Sequence, residues 1–344
     1  MQGPSFLNNK KILITGGSGT IGQDLVKTLA LHANAEVIRV LTNDENGLHT
    51  IGSNLVSQKN IRLLLGDVRD KARLLRAFED VDVVFHLAAL KHVYLSEYNP
   101  FESVNTNVIG TENVIDAAIS NNVEKVILTS SDKAANPSSV LGASKLLAEK
   151  LITAANVMKG QTRTIFSSVR FGNVLGSRGS IVPLIKQQVE SGKKLGLTHP
   201  DMTRFIMRSE DAVSLLLGAA DIMHGGEVFV FKMNAVRIPD LFSTVARHLS
   251  SAEIADKEIE FEIIGTKPGE KLHEDLYTEE ESRRTLELSN MFVIIPNIPD
   301  LEESLVAYYT TLGAKRVPLG SYNSKMGSML DAKGISKLIS EIGV

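Results

Sequence analysis

Cysteine is absent from this chain of 344 residues, which excludes disulfide bonds and catalysis by a thiol. Long apolar runs are absent as well, since nothing approaches the ~18 uninterrupted apolar residues of a membrane span. Val213–Ala220 is apolar but short, and the first ten residues lack the apolar core of a signal peptide. We therefore expect a cytoplasmic protein that does not enter a membrane.

Basic residues are not in surplus. The sequence has 37 Lys and Arg against 40 Asp and Glu, a formal net charge of −3, so its composition does not suggest a nucleic-acid partner. Metal-binding spacing is missing too, because His86 and His92 are six positions apart and no His-Glu-x-x-His motif occurs. We expect no nucleic-acid partner and no catalytic metal.

Short apolar segments alternate with segments of helical spacing through the first half of the chain. This alternation predicts an α/β fold with a Rossmann-type doubly wound parallel sheet. The length suits two coupled domains better than one core. We predict a dinucleotide-binding domain over residues 1–175 with a return near 205–232, and a smaller, interleaved C-terminal substrate domain over 176–204 and 233–344.

The predicted strands are Lys11–Thr15, Glu36–Leu41, Ile61–Leu65, Val81–His86, Lys125–Thr129, Arg163–Arg170, Glu227–Lys232 and Glu258–Ile264. The predicted helices are Leu25–Leu31, Asn105–Ala118, Ala143–Ala155, Asp211–Met223 and Pro239–Leu249.

A glycine-rich turn follows the first predicted strand. Gly16, Gly19 and Gly22 are spaced three apart between that strand and the first helix. Glycines there permit a tight turn and close approach of the backbone, and the helix N-terminus offers N–H groups to a pyrophosphate. The pattern predicts dinucleotide binding, with a purely structural loop as the alternative.

Polar residues at the ends of the next strands predict the adenosine end of that site. Asp44, beside Asn43 at the tip after the second strand, could accept from a ribose 2′-hydroxyl, which favours NAD, although Arg39 is nearby. Asp67 after the third strand could hold the adenine amino group, or it could cap a helix beginning near Lys71.

The stretch from Ser130 to Lys145 joins the fifth predicted strand to a helix. It carries Asp132 and Lys133, two side chains suited to proton transfer, and Lys145 follows at the start of the helix. Ligands bind at this carboxyl end of the strands in open α/β sheets. The alternative is a polar loop with a solvated Asp-Lys pair.

Several motifs together resemble the extended short-chain dehydrogenase/reductases, and more narrowly the UDP-N-acetylglucosamine 4,6-dehydratases of surface-polysaccharide and protein-glycosylation pathways. The resemblance covers about residues 10 to 300. The motifs are Thr15-Gly16-x-x-Gly19-x-x-Gly22, Asp67-Val68, His86-x-Ala-Ala-Leu-Lys91-His92, Ser131-Asp132-Lys133-Ala134, Arg170-Phe-Gly-Asn173-Val, Ser177-Arg-Gly-Ser180, Met202-Thr-Arg204-Phe and Lys267-Pro-Gly-Glu270-Lys271.

The resemblance implies a reaction without net redox change. A sugar C4 hydroxyl is oxidised by a tightly bound, recycled NAD or NADP, the C5 proton is removed, the C6 hydroxyl leaves as water, and the hydride returns to C6. Lys133 would be the C5 base, with a pKa pushed below its usual ~10.4 by burial and by Lys145, and Asp132 would be the acid. Lys145, the third catalytic candidate, would bind the nicotinamide ribose. We further expect a UDP-sugar substrate and a homo-oligomer, a dimer or a hexamer.

The same resemblance supplies the remaining site residues. The expected cofactor contacts are Gly16, Gly19, Thr20, Ile21, Gly22, Asn43, Asp44, Asp67, Val68, Leu87, Ala88, Ala89, Thr129, Ser130, Lys145 and Val174. The expected substrate contacts are Lys91, Ser131, Leu141, Asn173, Arg178, Ser180, Arg204, Lys267 and Glu270, with Arg204 at the diphosphate. Surface salt bridging is the alternative for Lys91, Arg204 and Glu270.

The sequence departs from the family pattern at three positions. Leu141 stands where the superfamily has the tyrosine of Tyr-x-x-x-Lys, Lys267 replaces an arginine, and Asn43 replaces the arginine of some NADP-using members. Leucine carries no proton, so we expect Asp132, directly or through a water, to accept the C4 proton. The alternatives are a nucleotide-sugar 4-epimerase, which needs the tyrosine, and a non-catalytic NAD(P)-binding sensor.

Overall fold

The computed structural model describes residues 4–177, 181–191, 194–249 and 260–342. Its strands are β1 (Lys11–Thr15), β2 (Val37–Thr42), β3 (Ile61–Leu65), β4 (Val83–His86), β5 (Lys125–Thr129), β6 (Ile165–Arg170), β7 (Asn173–Val174), β8 (Leu195–Leu197), β9 (Thr203–Met207), β10 (Val228–Phe231), β11 (Asn234–Arg237), β12 (Phe261–Ile263), β13 (Asp275–Tyr277), β14 (Thr285–Glu287), β15 (Met291–Ile294), β16 (Lys315–Arg316), β17 (Tyr322–Asn323) and β18 (Ser328–Met329).

Helices connect these strands on both faces of the main sheet. They are α1 (Thr20–His32), α2 (Glu45–Asn54), α3 (Lys71–Ala77), α4 (Val93–Tyr98), α5 (Pro100–Val104), α6 (Gly110–Ser120), α7 (Val140–Met158), α8 (Ile181–Glu190), α9 (Ser209–Ile222), α10 (Ile238–Leu249), α11 (Glu279–Ser282), α12 (Pro299–Thr311) and α13 (Ala332–Glu341). Short 3₁₀ turns span Ser5–Leu7 and Asp132–Ala134, and a π-helical turn spans Asn105–Ile109. No helix of the described ranges is long and apolar enough to cross a membrane.

The main sheet runs in the order β16-β14-β15-β10-β6-β5-β4-β1-β2-β3. From β3 to β10 each neighbouring pair is parallel, whereas β15, β14 and β16 add antiparallel strands at one edge. The chain leaves β1 towards β2 and β3, then returns to the other side of β1 at β4. This reversal creates a crevice at the carboxyl ends of β1 and β4, where ligands bind in such sheets. The predicted Rossmann-type α/β fold is confirmed.

The central strands are buried on both faces because helices cover the sheet on each side. Ile12 and Ile14 of β1 face one core, which Leu25 and Leu29 of α1 complete. Leu13, between them in sequence, faces the other core, to which α6 and α7 also contribute. Alternating side chains of one apolar strand thus serve two cores, as a continuous run such as Lys11–Thr15 predicts.

A smaller lobe stands at the carboxyl edge of the sheet. It contains a sheet in the order β18-β11-β9-β7 and the parallel pair β8–β12. Helices α8, α10 and α13 pack on it through a third core that includes Ile185, Leu241, Val245, Ile335 and Ile339.

The predicted division of the chain differs from the observed one. Residues 205–207 lie in β9 of the small sheet, although the predicted return to the dinucleotide-binding domain was placed near 205–232. Conversely, β14, β15 and β16 lie within the predicted 233–344 segment but extend the main sheet, and Leu305 and Tyr309 of α12 are buried in its core. The physical reason is that β10 would otherwise expose its unpaired edge, and β15 covers it.

The guanidinium of Arg170, at the end of β6, is buried between two carboxylates. Nε and one terminal nitrogen donate to Glu149 of α7 at 2.9 and 2.7 Å, and the terminal nitrogens donate to Glu281 of α11 at 3.0 and 2.8 Å. A further bond reaches the carbonyl of Leu276. Burial disfavours the charge of Arg170, but the two glutamates more than offset this and raise its pKa. The network fixes α7 and the segment around β13 to the same strand.

We expect Arg170→Met to lower the free energy of unfolding by about 3–5 kcal/mol, because it leaves two buried carboxylates without their cation. Urea denaturation followed by circular dichroism measures this. Lys71→Met is the matched control, since it breaks the exposed 2.6 Å pair with Asp116 and should leave the denaturation midpoint nearly unchanged. Equal, small losses in both variants would contradict the structural role of Arg170.

Candidate active site

A cleft of about 1000 Å³ lies over the carboxyl ends of the central strands, between the main sheet and the smaller lobe. Each residue predicted to contact a cofactor lines it, as do the predicted Lys91, Ser131, Lys133, Leu141, Asn173, Arg204 and Glu270. Asp132 and Lys267 are not among its lining residues, and Arg178 and Ser180 lie outside the described residues. The fold therefore gathers residues from Gly16 to Glu270 into one site.

The glycine turn leaves no room for a side chain at Gly16 or Gly22. Gly16 has a φ of +70°, and a Cβ there would lie 2.6 Å from the backbone nitrogen of Ala88. A Cβ on Gly22 would lie 2.6 Å from the carbonyl oxygen of Gly16. Gly19 caps α1 without a side-chain hydrogen bond, so the N-terminus of a 13-residue helix faces the cleft. This cradle fits a diphosphate group.

The end of the cleft near β2 and β3 is dominated by carboxylates. Asp44 accepts from the backbone nitrogen of Gly47 and caps α2. Asp67 holds the guanidinium of Arg69 at 2.7 Å and accepts from Asn43 at 3.1 Å, and the hydrogen bond from Arg69 lowers the pKa of Asp67 to about 2. Arg69, which sequence reasoning missed, is also paired with Glu102 at 2.9 Å.

Arg39, the cation noted near the second strand, points elsewhere. Its guanidinium donates to the carbonyl oxygens of Ala77 and Glu79. It is not among the residues that line the cleft. The cationic group that the structure does place at this end, Arg69, already has two carboxylate partners.

The 3₁₀ turn after β5 places Ser131, Asp132 and Lys133. Ser131 caps the turn, and its hydroxyl donates to Oδ1 of Asp132 at 2.7 Å. Nζ of Lys133 donates to the same oxygen at 3.0 Å and to Oδ1 of Asn173 at 3.3 Å. Asp132 is fully buried, and its Oδ2 has no hydrogen-bond partner among the described residues. Ser131 therefore stands between the cleft and the Asp132 carboxylate.

The expected low pKa of Lys133 is wrong for this structure. Burial acts to lower it, but the charges of Asp132 and Glu274 more than offset burial, and the pKa of Lys133 is raised. Arg204 acts in the lowering direction. Lys145 was expected from the sequence to lower the pKa of Lys133. The effect of Glu274 could not be predicted, because only the fold brings its charge near Lys133.

Lys145 and Leu141 lie one turn apart on the cleft face of α7. Nζ of Lys145 donates to the carbonyl of Thr129 at 3.0 Å. Burial lowers the pKa of Lys145 to about 8, with Glu149 opposing it. Behind the glycine turn, His86 is enclosed between the hydroxyls of Thr15 and Thr111, and burial lowers its pKa to about 3.

Glu274 is the main site residue that sequence reasoning missed. It lines the cleft, its side chain is 4% exposed, and its Oε1 lies 3.8 Å from Nε of Arg204. Burial is the largest influence on the pKa of Glu274, and it raises that pKa. In the sequence it belongs to the polar string Lys271-Leu-His-Glu-Asp275, which carries no signal for burial.

The order of the strands and the cleft at the reversal point define a dinucleotide-binding type of α/β protein. A family model described as polysaccharide biosynthesis protein matches residues 12–296. The chain belongs to this family, and it is an extended short-chain dehydrogenase/reductase of the polysaccharide-biosynthesis type, as its motifs predicted.

Relatives cover almost the whole chain. An uncharacterized membrane protein of Methanocaldococcus jannaschii is 51% identical over 98% of this chain and 97% of its own length. The UDP-N-acetylglucosamine 4,6-dehydratase (inverting) of Campylobacter jejuni is 41% identical over 90% of each chain. The UDP-glucose 4-epimerase of Rickettsia conorii is 37% identical over 96% of this chain and 95% of its own. Among solved structures, Pen from Bacillus thuringiensis superposes with a TM-score of 0.87 at 39% identity, covering 98% of this chain and 99% of that one.

Proposed function

We propose that the protein is a nucleotide-sugar 4,6-dehydratase that converts UDP-N-acetylglucosamine to the 4-keto-6-deoxy sugar with loss of water. The observation that carries the proposal is the Asp132–Lys133 pair, 3.0 Å apart at the end of β5, with Lys133 lining the same cleft as the glycine cradle and Asp132 buried behind it. The Campylobacter relative, named for this activity, supports it. The resulting sugar suits polysaccharide or glycoprotein biosynthesis.

The cofactor proposed is a tightly held nicotinamide dinucleotide, which would accept the hydride of sugar C4 and return it to C6. The glycine cradle and the N-terminus of α1 would hold its diphosphate, and Lys145 would hold the nicotinamide ribose. At the adenosine end, Asp44, Asp67 and Glu102 outnumber Arg69. A dianionic 2′-phosphate would be repelled there, so we propose NAD rather than NADP.

The chain offers a route for the C4 proton that needs no tyrosine. The hydroxyl of Ser131 faces the cleft and already donates to Asp132 at 2.7 Å. As the C4 hydride leaves, the C4 hydroxyl would pass its proton to Ser131 Oγ while Ser131 passes its own to Asp132. Asp132 would thus serve through Ser131, because its carboxylate is buried behind the cleft wall.

Lys133 would handle C5. Only its neutral form can remove the C5 proton, and because the pKa of Lys133 is raised this form is the minor one at neutral pH. The C6 hydroxyl would then depart as water with a proton from a carboxylic acid, and Lys133 would return its proton to C5 after the hydride reaches C6. The sequence pattern assigned the acid step to Asp132. Each proton is returned, so the cycle releases one water and leaves the chain unchanged.

A 4-epimerase is the second candidate, because the Rickettsia relative carries that name. Epimerisation needs C4 oxidation but neither the C5 base nor the C6 acid. Lys133 would then have no chemical role, although the fold holds it against Asp132 and Asn173. The expected homo-oligomer and the cytoplasmic location stay predictions from the sequence.

Gly19→Val should remove most of the dinucleotide that copurifies with the protein while leaving the fold intact. A Cβ at Gly19 meets only the carbonyl of Gly16, at 3.3 Å, so the protein tolerates it, whereas the side chain would enter the phosphate cradle. Chromatography of the released nucleotide and a thermal melt measure the two effects. Gly22→Val, whose Cβ clashes at 2.6 Å, should instead lower the melting temperature. Unchanged nucleotide in Gly19→Val would show that the cradle does not bind it.

Wild-type protein incubated with UDP-N-acetylglucosamine should yield a product lighter by one water, seen by mass spectrometry. Lys133→Met should reduce this product by ~10²–10⁴-fold, the usual cost of losing a general base. Incorporation of solvent deuterium at C5 should fall in parallel, while bound nucleotide is retained. An isomer of unchanged mass from the wild type would favour the epimerase instead.

Ser131→Ala and Asp132→Asn should both block oxidation at C4, because each breaks the relay for the C4 proton. The absorbance of reduced nicotinamide after substrate addition measures this step. Adding Leu141→Tyr to either variant should restore part of the signal, because a phenol there supplies another acceptor. Ser138→Ala, on an exposed hydroxyl bonded to the carbonyl of Gly269, is the control. Normal oxidation in Ser131→Ala would exclude the relay.

A further inference from the structure

The buried carboxyl of Glu274 has no assigned role. It sits at the start of β13, where its backbone nitrogen donates to the hydroxyl of Ser324 and its carbonyl accepts from the nitrogen of Ser324. Ser324 is in turn bonded to Thr203 at 2.7 Å. These bonds fix Glu274 to β9 and β17, so its position is set by the fold rather than by a mobile loop.

Four charged groups face Glu274. Asp132 and Lys133 do so from the 3₁₀ turn, Arg204 from β9, and Lys271 from its own segment. Lys271 is already paired with Asp275 at 3.5 Å and bonded to the carbonyl of Ala135. One terminal nitrogen of Arg204 donates to the carbonyl oxygens of Thr203 and Leu272. Nε of Arg204 lies 3.8 Å from Oε1 of Glu274.

The two carboxyl groups of the cluster share one feature and differ in another. Oδ2 of Asp132 and Oε2 of Glu274 are both buried without a hydrogen-bond partner among the described residues. Oδ1 of Asp132 accepts hydrogen bonds from the hydroxyl of Ser131 and from Nζ of Lys133, whereas Oε1 of Glu274 lies 3.8 Å from Nε of Arg204, too far for a hydrogen bond. The pKa of Glu274 is raised, chiefly by burial. A buried carboxyl that lines a cleft and has a raised pKa is suited to give a proton to a substrate.

Glu274 and Asp132 also differ in their access to the cleft. Glu274 lines the cleft and Asp132 does not. Lys133, the proposed C5 base, is influenced by the charges of both. Since C5 and C6 are bonded to each other, the acid that serves C6 must reach the cleft close to Lys133.

We infer that Glu274, and not Asp132, is the general acid that protonates the departing C6 hydroxyl. The inference rests on the proposed dehydratase function and assigns one step of it. Lys133 takes the C5 proton, the C6–O bond breaks as Glu274 gives its proton to the oxygen, and water leaves. Glu274 is then a carboxylate, Lys133 an ammonium, and Asp132 holds the former C4 proton.

The groups are restored without outside reactants. Lys133 returns its proton to C5 when the hydride reaches C6. Asp132 then gives its proton back through Ser131 to water in the cleft, and Glu274, which lines the cleft, takes one up from that water. The balance is the substrate minus one water.

Glu274→Gln tests this step because it keeps the shape of the neutral acid but cannot donate its proton in the same way. With UDP-N-acetylglucosamine, we expect water loss to fall ~10²–10⁴-fold. Oxidation at C4 and exchange of the C5 proton with deuterium oxide should continue, since they precede the acid step. Glu274→Asp should recover part of the water loss.

A substrate with fluorine in place of the C6 hydroxyl gives the decisive comparison. Fluoride leaves without a proton, so Glu274→Gln should release fluoride from it at a rate within a few-fold of wild type, measured with a fluoride electrode. Glu287→Gln, the same change on a half-exposed carboxylate paired with Lys232 outside the cleft, should behave as wild type with both substrates.

The outcomes separate the inference from the function. Slow release of both water and fluoride in Glu274→Gln, with a normal melt, would make Glu274 structural and overturn the inference. Normal water loss in that variant would overturn it as well. A wild-type protein that forms no dehydrated product from either substrate would instead remove the proposed function.

Discussion

Glu149 and Glu281 each accept two hydrogen bonds from Arg170, and the positions of both walls of the cleft depend on this interaction. Arg170 ends β6, Glu149 lies on α7, and Glu281 follows β13. A buried guanidinium is tolerated only when its donors are satisfied, and here two carboxylates and one carbonyl take them. The helix that carries Lys145 and the segment that carries Glu274 are thereby attached to the sheet that carries Asp132.

This attachment also sets the electrostatics of the site. Glu149, one helical turn after Lys145, partly balances the burial that lowers the pKa of Lys145 to about 8. On the opposite wall, Glu274 and Asp132 hold the pKa of Lys133 up in spite of its burial. The pKa values of Lys133 and Lys145 are thus shifted in opposite directions because tertiary structure places different carboxylates beside them.

Much of the fold follows from local pattern. The strands β1, β3 and β5 begin and end where their apolar runs predicted. For β1 and β5 the reason is burial on both faces, which gives an apolar run sharp ends, whereas β3 is a partly exposed edge strand. Helix α1 begins at Thr20 rather than Leu25, since its first turn packs against the glycine turn and carries few apolar residues. Strands of two to four residues at the sheet edge, such as β14 and β16, have too little periodicity to predict.

The site was predictable to the extent that motifs mark it. The glycine cradle, the turn at Asp132 and the lysine of α7 all lie in the cleft where their motifs placed them. The burial of Asp132 and the arrival of Glu274 were not predictable. Both depend on contacts that span 40 to 121 residues of sequence, such as the bond of Thr203 to Ser324.

Leu141 shows how the chemistry can move without a change of fold. Leu141 and Lys145 share one face of α7, so a tyrosine at 141 would have stood beside the lysine. With leucine there, α7 contributes an apolar wall, and in the proposed mechanism the proton acceptor comes from elsewhere.

The turn after β5 is the neighbouring element, and it packs against α7 because Gly142 has no side chain. A Cβ at Gly142 would lie 2.3 Å from the carbonyl oxygen of Lys133. This close contact brings Ser131, with Asp132 buried behind it, to the same cleft as Leu141. The proposed dehydratase chemistry, without a phenol at position 141, therefore depends on how close the turn lies to the helix.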